Sequence, residues 1–365
     1  MKYLKSIVAK GKGLIAVILP DTKTSARYTE FDAPYLKKAF AAAGLKSKQF
    51  IVQNAQGSDA TQFNMAQADI AKGAKVLLVD PLDSTTGALI EGFARAHGVK
   101  TIDYDRLTLG GGRTYYVSFD NVKVGQLIGQ GEVACLSSWN VPSPQVVYIS
   151  YGSPTDNNAT LFAKGYNGVL TSAGFNTSAT TLTGSKQTVL ESAGTWDPVQ
   201  AGVDFTGAIT AHPTINAAVT PNDSNANSVI TYLQGKGLKP KTFPTTGQDA
   251  SLVGFQNIIS GYQCGTVYKP IWLEAQAAAA LAVYLRAGVK PPKGLVNGTT
   301  TDTLQHYAVP SVLLTATWVT PDKIQSTVVK DKVISPAQLC TNTAPVVPGY
   351  AAPTYAADCS TYGIH

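Results

Sequence analysis

The chain has 365 residues, 44% hydrophobic and only 14% charged, which excludes intrinsic disorder and suits two domains better than one. Its 29 basic and 23 acidic residues leave a net charge of +6 without any run of Lys or Arg, so nothing points to a nucleic-acid groove. No apolar stretch approaches the roughly 20 residues that span a bilayer. Residues 1–12 hold four Lys and a short Ile7-Val8-Ala9 patch, too little for the core of a signal peptide. The expectation is therefore a mature form from which a leader has been removed.

Short apolar runs alternate with amphipathic segments along the chain. Leu14–Leu19 (LIAVIL) predicts a strand covered on both faces. Residues 28–43 follow with Phe31, Tyr35, Ala39, Phe40 and Ala43 at helical spacing and Gly44 as a stop. Strands are predicted over 50–52, 76–79 and 99–104, with helices over 59–72 and 84–97 between them. This βαβ repetition implies a parallel sheet with right-handed crossovers. After Tyr115–Phe119 the rhythm restarts, with helices over 122–136, 158–173, 197–211, 224–236 and 250–260. Strands over 145–150, 215–220 and 242–247 alternate with them. The stretch 264–268 then leads into an Ala-rich helix over 270–287, and 309–314 gives one more extended run. These late elements exceed what the second unit needs, so the chain is expected to return to the first lobe and cross again.

The fold class expected is thus α/β, two Rossmann-like lobes with parallel sheets joined by three crossover segments. The N-terminal lobe takes 12–118 plus 270–310, the C-terminal lobe 119–269 plus 311–334, and a tail covers 335–365. Cys135, Cys264, Cys340 and Cys359 show no zinc-like spacing. Cys340 and Cys359 bracket a tail rich in Pro, Ala and Thr, where a disulfide would tie down a loose end. Cys135–Cys264 is the other candidate bridge; four cysteines allow three connectivities, and four unpaired buried thiols are the alternative.

Ligands of open parallel sheets sit at the carboxyl ends of strands, and two lobes facing each other would enclose a small molecule. Almost every predicted strand ends on Asp, Asn, Arg or Lys. The first runs into Arg27-Tyr28, the fourth into Asp105-Arg106, and 145–150 into Gly152-Ser153-Pro154-Thr155-Asp156-Asn157-Asn158. Later strands end in Asn222-Asp223, Gln248-Asp249 and Lys269-Pro270, and Trp196 precedes the helix at Asp197. Interleaved acceptors and cationic donors can satisfy a polyol, and aromatic faces cover its C–H face. The cations Arg27, Arg106 and Lys269 nearly balance Asp105 and Asp249, which argues against a strongly charged ligand. Each residue also has a plainer role. Asp105, Asp156, Asn222 and Asp249 stand where helix N-caps do, Arg27 and Lys269 could be solvated charges, and Trp196 could fill the core. Repetition at successive strand ends is what favours the ligand reading.

At these same loops the sequence resembles bacterial periplasmic sugar-binding proteins of the D-xylose-binding type, within the ribose/galactose-binding superfamily. The stretches that carry the resemblance are Asp103-Tyr104-Asp105-Arg106, Val117-Ser118-Phe119-Asp120-Asn121, Gly152 through Ala159, Gly247-Gln248-Asp249-Ala250 and Thr266 through Ile271. They lie in the family's order, and matching extends from Ile15 to about Val329. The resemblance implies a periplasmic binding protein type I fold and a monosaccharide, xylose or a related aldopentose or aldohexose, held between the lobes by hinge closure. The ligand set it implies is Arg27, Asp105, Arg106, Asn158, Trp196, Asn222, Asp249 and Lys269, with Tyr28 where the family often has a stacking Trp. It also implies an extracytoplasmic monomer, periplasmic or a cell-surface lipoprotein, that delivers sugar to an ABC transporter permease in the membrane, with no cofactor, metal or nucleic acid. Asn158-Ala159-Thr160 is formally a glycosylation sequon, against which its expected place at the ligand argues. The tail from about Ser335 departs from the family's pattern.

An enzyme is the first rival. His97, His212, His306 and His365 are the only histidines, and none lies in an HExxH or triad context. Neither GxSxG nor a Walker GxxxxGK[ST] occurs, and Gly110-Gly111-Gly112 reads as a turn. A sugar-responsive regulator shares the expected fold but would need a helix-turn-helix of about fifty residues before it; only about a dozen precede the first strand. A chemotaxis or sensing receptor would use the same liganded form as a transport protein.

Overall fold

A computed structural model of the chain describes residues 1–142, 145–341 and 355–365. The strands are β1 (Leu14–Leu19), β2 (Phe50–Asn54), β3 (Ala74–Val79), β4 (Lys100–Tyr104), β5 (Tyr115–Phe119), β6 (Val146–Ile149), β7 (Gln187–Leu190), β8 (Ile215–Val219), β9 (Thr266–Tyr268), β10 (Gly298–Asp302), β11 (Tyr307–Leu314) and β12 (Thr317–Val319). By packing, the chain forms two units. Unit 1 comprises Met1–Asp120, Thr155–Asn158 and Pro270–Thr315; unit 2 comprises Asn121–Pro154, Ala159–Lys269 and Ala316–His365.

Unit 1 is built on a seven-stranded sheet in the order β10-β11-β5-β4-β3-β1-β2. Every pairing is parallel except that of β10 with β11. The period-2 alternation of a strand explains how β1 can be apolar throughout. Ile15, Val17 and Leu19 pack on one face with Ala275, Ala278, Ala279 and Ala282 of the helix Ile271–Arg286. Ala16 and Ile18 pack on the other with Leu77, Val79, Ile90 and Ala94. Leu4 and Val8, in short helical turns at 2–8, join the first of these clusters, so the core begins upstream of residue 12. Strand β11 pairs with β5 from Ser311↔Tyr116 to Leu314↔Phe119, which places 311–315 in unit 1 and the expected boundary at 310/311 inside a strand. The turn at 110–112 is held by buried carboxylates. Gly110 N–H donates to Asp302 and Gly112 N–H to Glu91, and a Cβ on Gly111 would lie 2.2 Å from Glu91 Oε2.

Unit 2 carries a parallel sheet β7-β6-β8 and an antiparallel pair β12-β9. The strand expected at 242–247 is not formed. Pro244 supplies no N–H and offers only its carbonyl, to Ala218 N–H at 2.9 Å. Thr220 N–H is taken by the Thr246 side chain at 2.9 Å rather than by backbone. What remains are isolated bridges, Ala218↔Thr245 and Gln248↔Val267. Helices Asn121–Ser138 and Asn157–Ser172 cross closely at Gly125, where a Cβ would meet Phe162 O at 2.1 Å. Two disulfides, Cys135–Cys264 and Cys340–Cys359, join cysteines 129 and 19 positions apart in this unit. The tail packs here too: Leu339, Cys359 and Ile364 are buried with Phe255, Ile258, Val319 and Val328. Its Pro-, Ala- and Thr-rich middle, 342–354, lies outside the described residues.

Candidate functional site

In unit 1 the predicted residues at the carboxyl ends of β1 and β4 meet in one buried ionic set. Arg27 is 2% exposed, so the reading of it as a solvated charge fails. Its guanidinium forks onto Asp32 at 2.8 and 2.9 Å and reaches Asp105 at 2.6 Å and Glu274 at 2.9 Å. Burial opposes the charge on Arg27, but the carboxylates of Asp105, Asp32 and Glu274 outweigh it and raise its pKa further. Tyr104 O–H donates to Asp32 at 2.6 Å and orients that carboxylate.

Asp105 is no N-cap. It sits at φ 60°, a conformation that costs a non-glycine residue about 1–3 kcal/mol and persists only where surroundings hold it. The holding groups are visible: its carbonyl accepts from Tyr116 and Ser118 hydroxyls at 2.8 Å and from Asn158 Nδ2 at 3.1 Å. Arg106 pairs with Asp156 at 3.1 Å and approaches Asp80 at 3.6 Å. It also donates to the Tyr28 hydroxyl oxygen at 3.0 Å, and the guanidiniums of Arg27 and Arg106 both lie over the Tyr28 ring, 5.5 and 5.6 Å from its centroid. Arg27, Tyr28, Asp105, Arg106 and Asn158 are therefore brought together. Asp156, at a helix start, accepts from Asn158 N–H at 2.9 Å and so also serves as a cap.

Sequence reasoning missed three members of this set. Asp32 and Glu274 lie within helical segments, where no strand-end rule looks. Asp80 directly follows β3, and the same rule applied at Val79 finds it. Neither Asp80 oxygen accepts a hydrogen bond from the described residues. Burial, then the charge of Asp105, pushes its carboxyl well above the usual carboxylate range.

In unit 2, Lys269 is 3% exposed and pairs with Asp249 at 3.1 Å, so it too is no solvated charge. Asp249 and Ala250 have φ of 91° and 55°, and the following helix is capped by Ser251 instead. Asn222 is the N-cap of the helix Asp223–Gly235, accepting from Asn225 N–H at 2.8 Å; here the plainer role is present. Trp196, 8% exposed, packs edge-on against Phe162 and flat against Gly152, where a Cβ would lie 2.2 Å from the ring. Two further buried acids follow strands of this unit. Asp223 accepts from Ser251, Gln263 and Thr266, yet burial lifts its pKa to about 7. Glu191, at the end of the unpredicted β7, accepts from Ser150 at 3.0 Å; burial, then hydrogen bonding with Asp204, lifts it to about 8.

Both folded pKa values exceed the ordinary carboxylate range, so the folded state binds more protons than the unfolded chain between about pH 4 and the folded value. Stability from these groups is full at low pH and is lost as pH rises through 7–8. Each group contributes a slope of at most about 1.4 kcal/mol per pH unit. We expect urea midpoints to fall between pH 5 and 8, and Glu191→Gln, which stays neutral, to flatten that profile; an unchanged slope would remove Glu191 from the account.

A family model described as a periplasmic binding protein domain matches residues 15–290. The chain is similar to the D-xylose-binding periplasmic protein of Escherichia coli K12, with 35% identity over 298 residues, 81% of this chain and 84% of that one. It is similar to the multiple sugar-binding periplasmic protein SbpA of Azospirillum brasilense, with 31% identity covering 91% of this chain and 92% of that one. Among solved structures, a carbohydrate transporter solute-binding protein from Chloroflexus aurantiacus in complex with D-glucose superposes with a TM-score of 0.76. That pair shares 26% identity over 90% of this chain and 98% of the other.

Proposed function

We propose, since the chain belongs to the periplasmic binding protein family, that it captures a neutral monosaccharide outside the cytoplasm and hands it to the permease of an ABC transporter. The family is one of binding proteins, and this chain is not an enzyme. The observation that carries the sugar reading is that both units place polar residues at strand ends with their charges already matched inside the protein. Arg27 and Arg106 are each held by carboxylates, and Lys269 by Asp249. A charged ligand would have to break these pairs, whereas hydroxyls that both donate and accept can join them. The residues proposed to contact sugar are Arg27, Tyr28, Asp105, Arg106, Asn158, Trp196, Asn222, Asp249 and Lys269. Asp80 joins them, because a buried carboxyl that accepts no hydrogen bond from the described residues is suited to a sugar hydroxyl.

Similarity to a D-xylose-binding protein favours an aldopentose, while the relative named for multiple sugars keeps aldohexoses in view. No helix of the described residues is long and apolar enough to cross a membrane; the permease is proposed as a partner. The test is a thermal-shift panel of D-xylose, D-glucose, D-galactose, L-arabinose and D-ribose. A sugar at 100 times its Kd should add about 2.7 kcal/mol of stability; no shift with any of them overturns the reading.

Asp249→Asn keeps a side chain that tolerates positive φ but removes the charge facing Lys269. We expect sugar affinity to drop by about 2 kcal/mol, roughly 30-fold, by calorimetric titration. Unchanged affinity would take Asp249 out of the set.

A further inference from the structure

The loops that precede the parallel strands of unit 1 gather at the edge of its sheet opposite the ionic set. Loops 9–13, 44–49, 72–73 and 97–99 contain five lysines and neither Asp nor Glu. A groove of about 810 Å³ opens at this edge, lined by Lys12, Lys48, Lys72 and Arg286 with the apolar side chains of Leu14, Phe50 and Ile51. Among the described residues no carboxylate lines it.

Arg286 is what distinguishes this groove from a merely solvated basic surface. It is only 7% exposed. Its Nε donates to Gly13 O at 2.8 Å and its Nη1 to Val8 O at 3.2 Å, and no carboxylate of the described residues pairs with it. A buried guanidinium usually has an anion beside it; burial here lowers its pKa. Helix termini account for part of the positive charge. The helices Ala33–Ala43, Asp59–Ala71 and Ile271–Arg286 end nearby, each contributing about half a negative charge. Together they offset roughly 1.5 charges of four. Asp69 offsets one more from 3.8 Å, at Lys72. The surplus remains positive, and the groove is large enough for a phosphate with an organic group attached.

We infer that this groove binds a phosphate group, with the guanidinium of Arg286, fixed by its bonds to Gly13 O and Val8 O, offering its remaining N–H groups, and Lys12, Lys48 and Lys72 as mobile cationic partners. The phosphate is either a free ion or ester, or the headgroup of an anionic lipid. This site is separate from the sugar site and does not depend on it.

The test uses the full chain at 50 mM NaCl, with inorganic phosphate by calorimetric titration and with sedimentation of vesicles containing 30% phosphatidylglycerol or phosphatidylcholine alone. The lysines are exposed, so Lys12→Gln, Lys48→Gln and Lys72→Gln combined should leave the melting temperature and the sugar response unchanged. Binding in the wild type that falls at least tenfold in this variant, and weakens at 300 mM NaCl, supports the site. Phosphate binding without vesicle binding assigns it to free phosphate or a soluble ester. Sedimentation with phosphatidylglycerol only, without a phosphate titration, assigns it to the lipid. Absence of both in the wild type, or equal binding by the triple variant, overturns it.

Discussion

Arg27→Met should lower the unfolding free energy at pH 7 by about 3–5 kcal/mol, measured by urea denaturation. The size follows from what Arg27 holds. One guanidinium, 2% exposed, neutralises Asp32, Asp105 and Glu274 at 2.6–2.9 Å. Asp32 and Glu274 come from separate helical segments, and Asp105 from the end of β4. Removing the cation leaves buried carboxylates with no equivalent counter-charge, and the protein must protonate them or admit water. Methionine fills similar space, so packing changes little and the loss reports charge. Freed of Arg27, these groups have folded pKa values above their unfolded ones, and the variant gains stability relative to the wild type as pH falls. The deficit should therefore shrink between pH 7 and pH 5. A deficit equal at both values would mean that Arg27 acts through packing, and a wild-type midpoint would deny it any structural weight. Because Asp105 is a proposed sugar contact, the same variant should also bind sugar at least tenfold more weakly.

How far this cluster can be read from sequence follows from the distances along the chain. Arg27, Asp105 and Arg106 were legible because each stands at a strand end, and the apolar runs that mark β1 and β4 are strong signals. Glu274 was not, since it meets Arg27 across 247 residues, from inside a helix whose Ala-rich sequence reads only as core. Asp32 lies five residues from Arg27, but in a helical segment where an acid normally faces solvent. The strands that went unpredicted are of one kind: Gln187–Leu190, Gly298–Asp302 and Thr317–Val319 are short, and the first two are polar edge strands. Such strands take their stability from a neighbour's backbone and leave little pattern in their own sequence. The reverse error, at 242–247, came from β-branched residues whose hydrogen bonding Pro244 interrupts. Asn222 shows a third limit, for a strand-end Asn is equally good as a cap and as a ligand, and only geometry reveals that it caps.

Breaking Cys135–Cys264 should have a larger effect than breaking Cys340–Cys359, although both lie in unit 2. In the chain-entropy account a bridge stabilises by restricting the unfolded chain, in proportion to the logarithm of the loop it closes. With its cysteines 129 positions apart the first is worth about 5 kcal/mol, and with a separation of 19 the second about 3 kcal/mol. Serine pairs replacing each bridge, compared by urea titration, should reproduce that order. The functional consequence separates them further. Cys264 adjoins Gln263, which donates to Asp223 at 2.9 Å, and precedes Thr266, which donates to the same carboxylate at 2.8 Å. Asp223 in turn holds Ser251 N–H at 2.8 Å, beside Asp249 and Ala250 with their positive φ. The bridge thus anchors the segment that ends in Lys269 to the helix Asn121–Ser138. Cys135→Ser with Cys264→Ser should weaken sugar binding in protein that is still folded, whereas Cys340→Ser with Cys359→Ser should not, because its bridge holds only the tail against Phe255 and Val328. Equal sugar affinity in the two variants would show that the 263–269 segment keeps its geometry without the bridge.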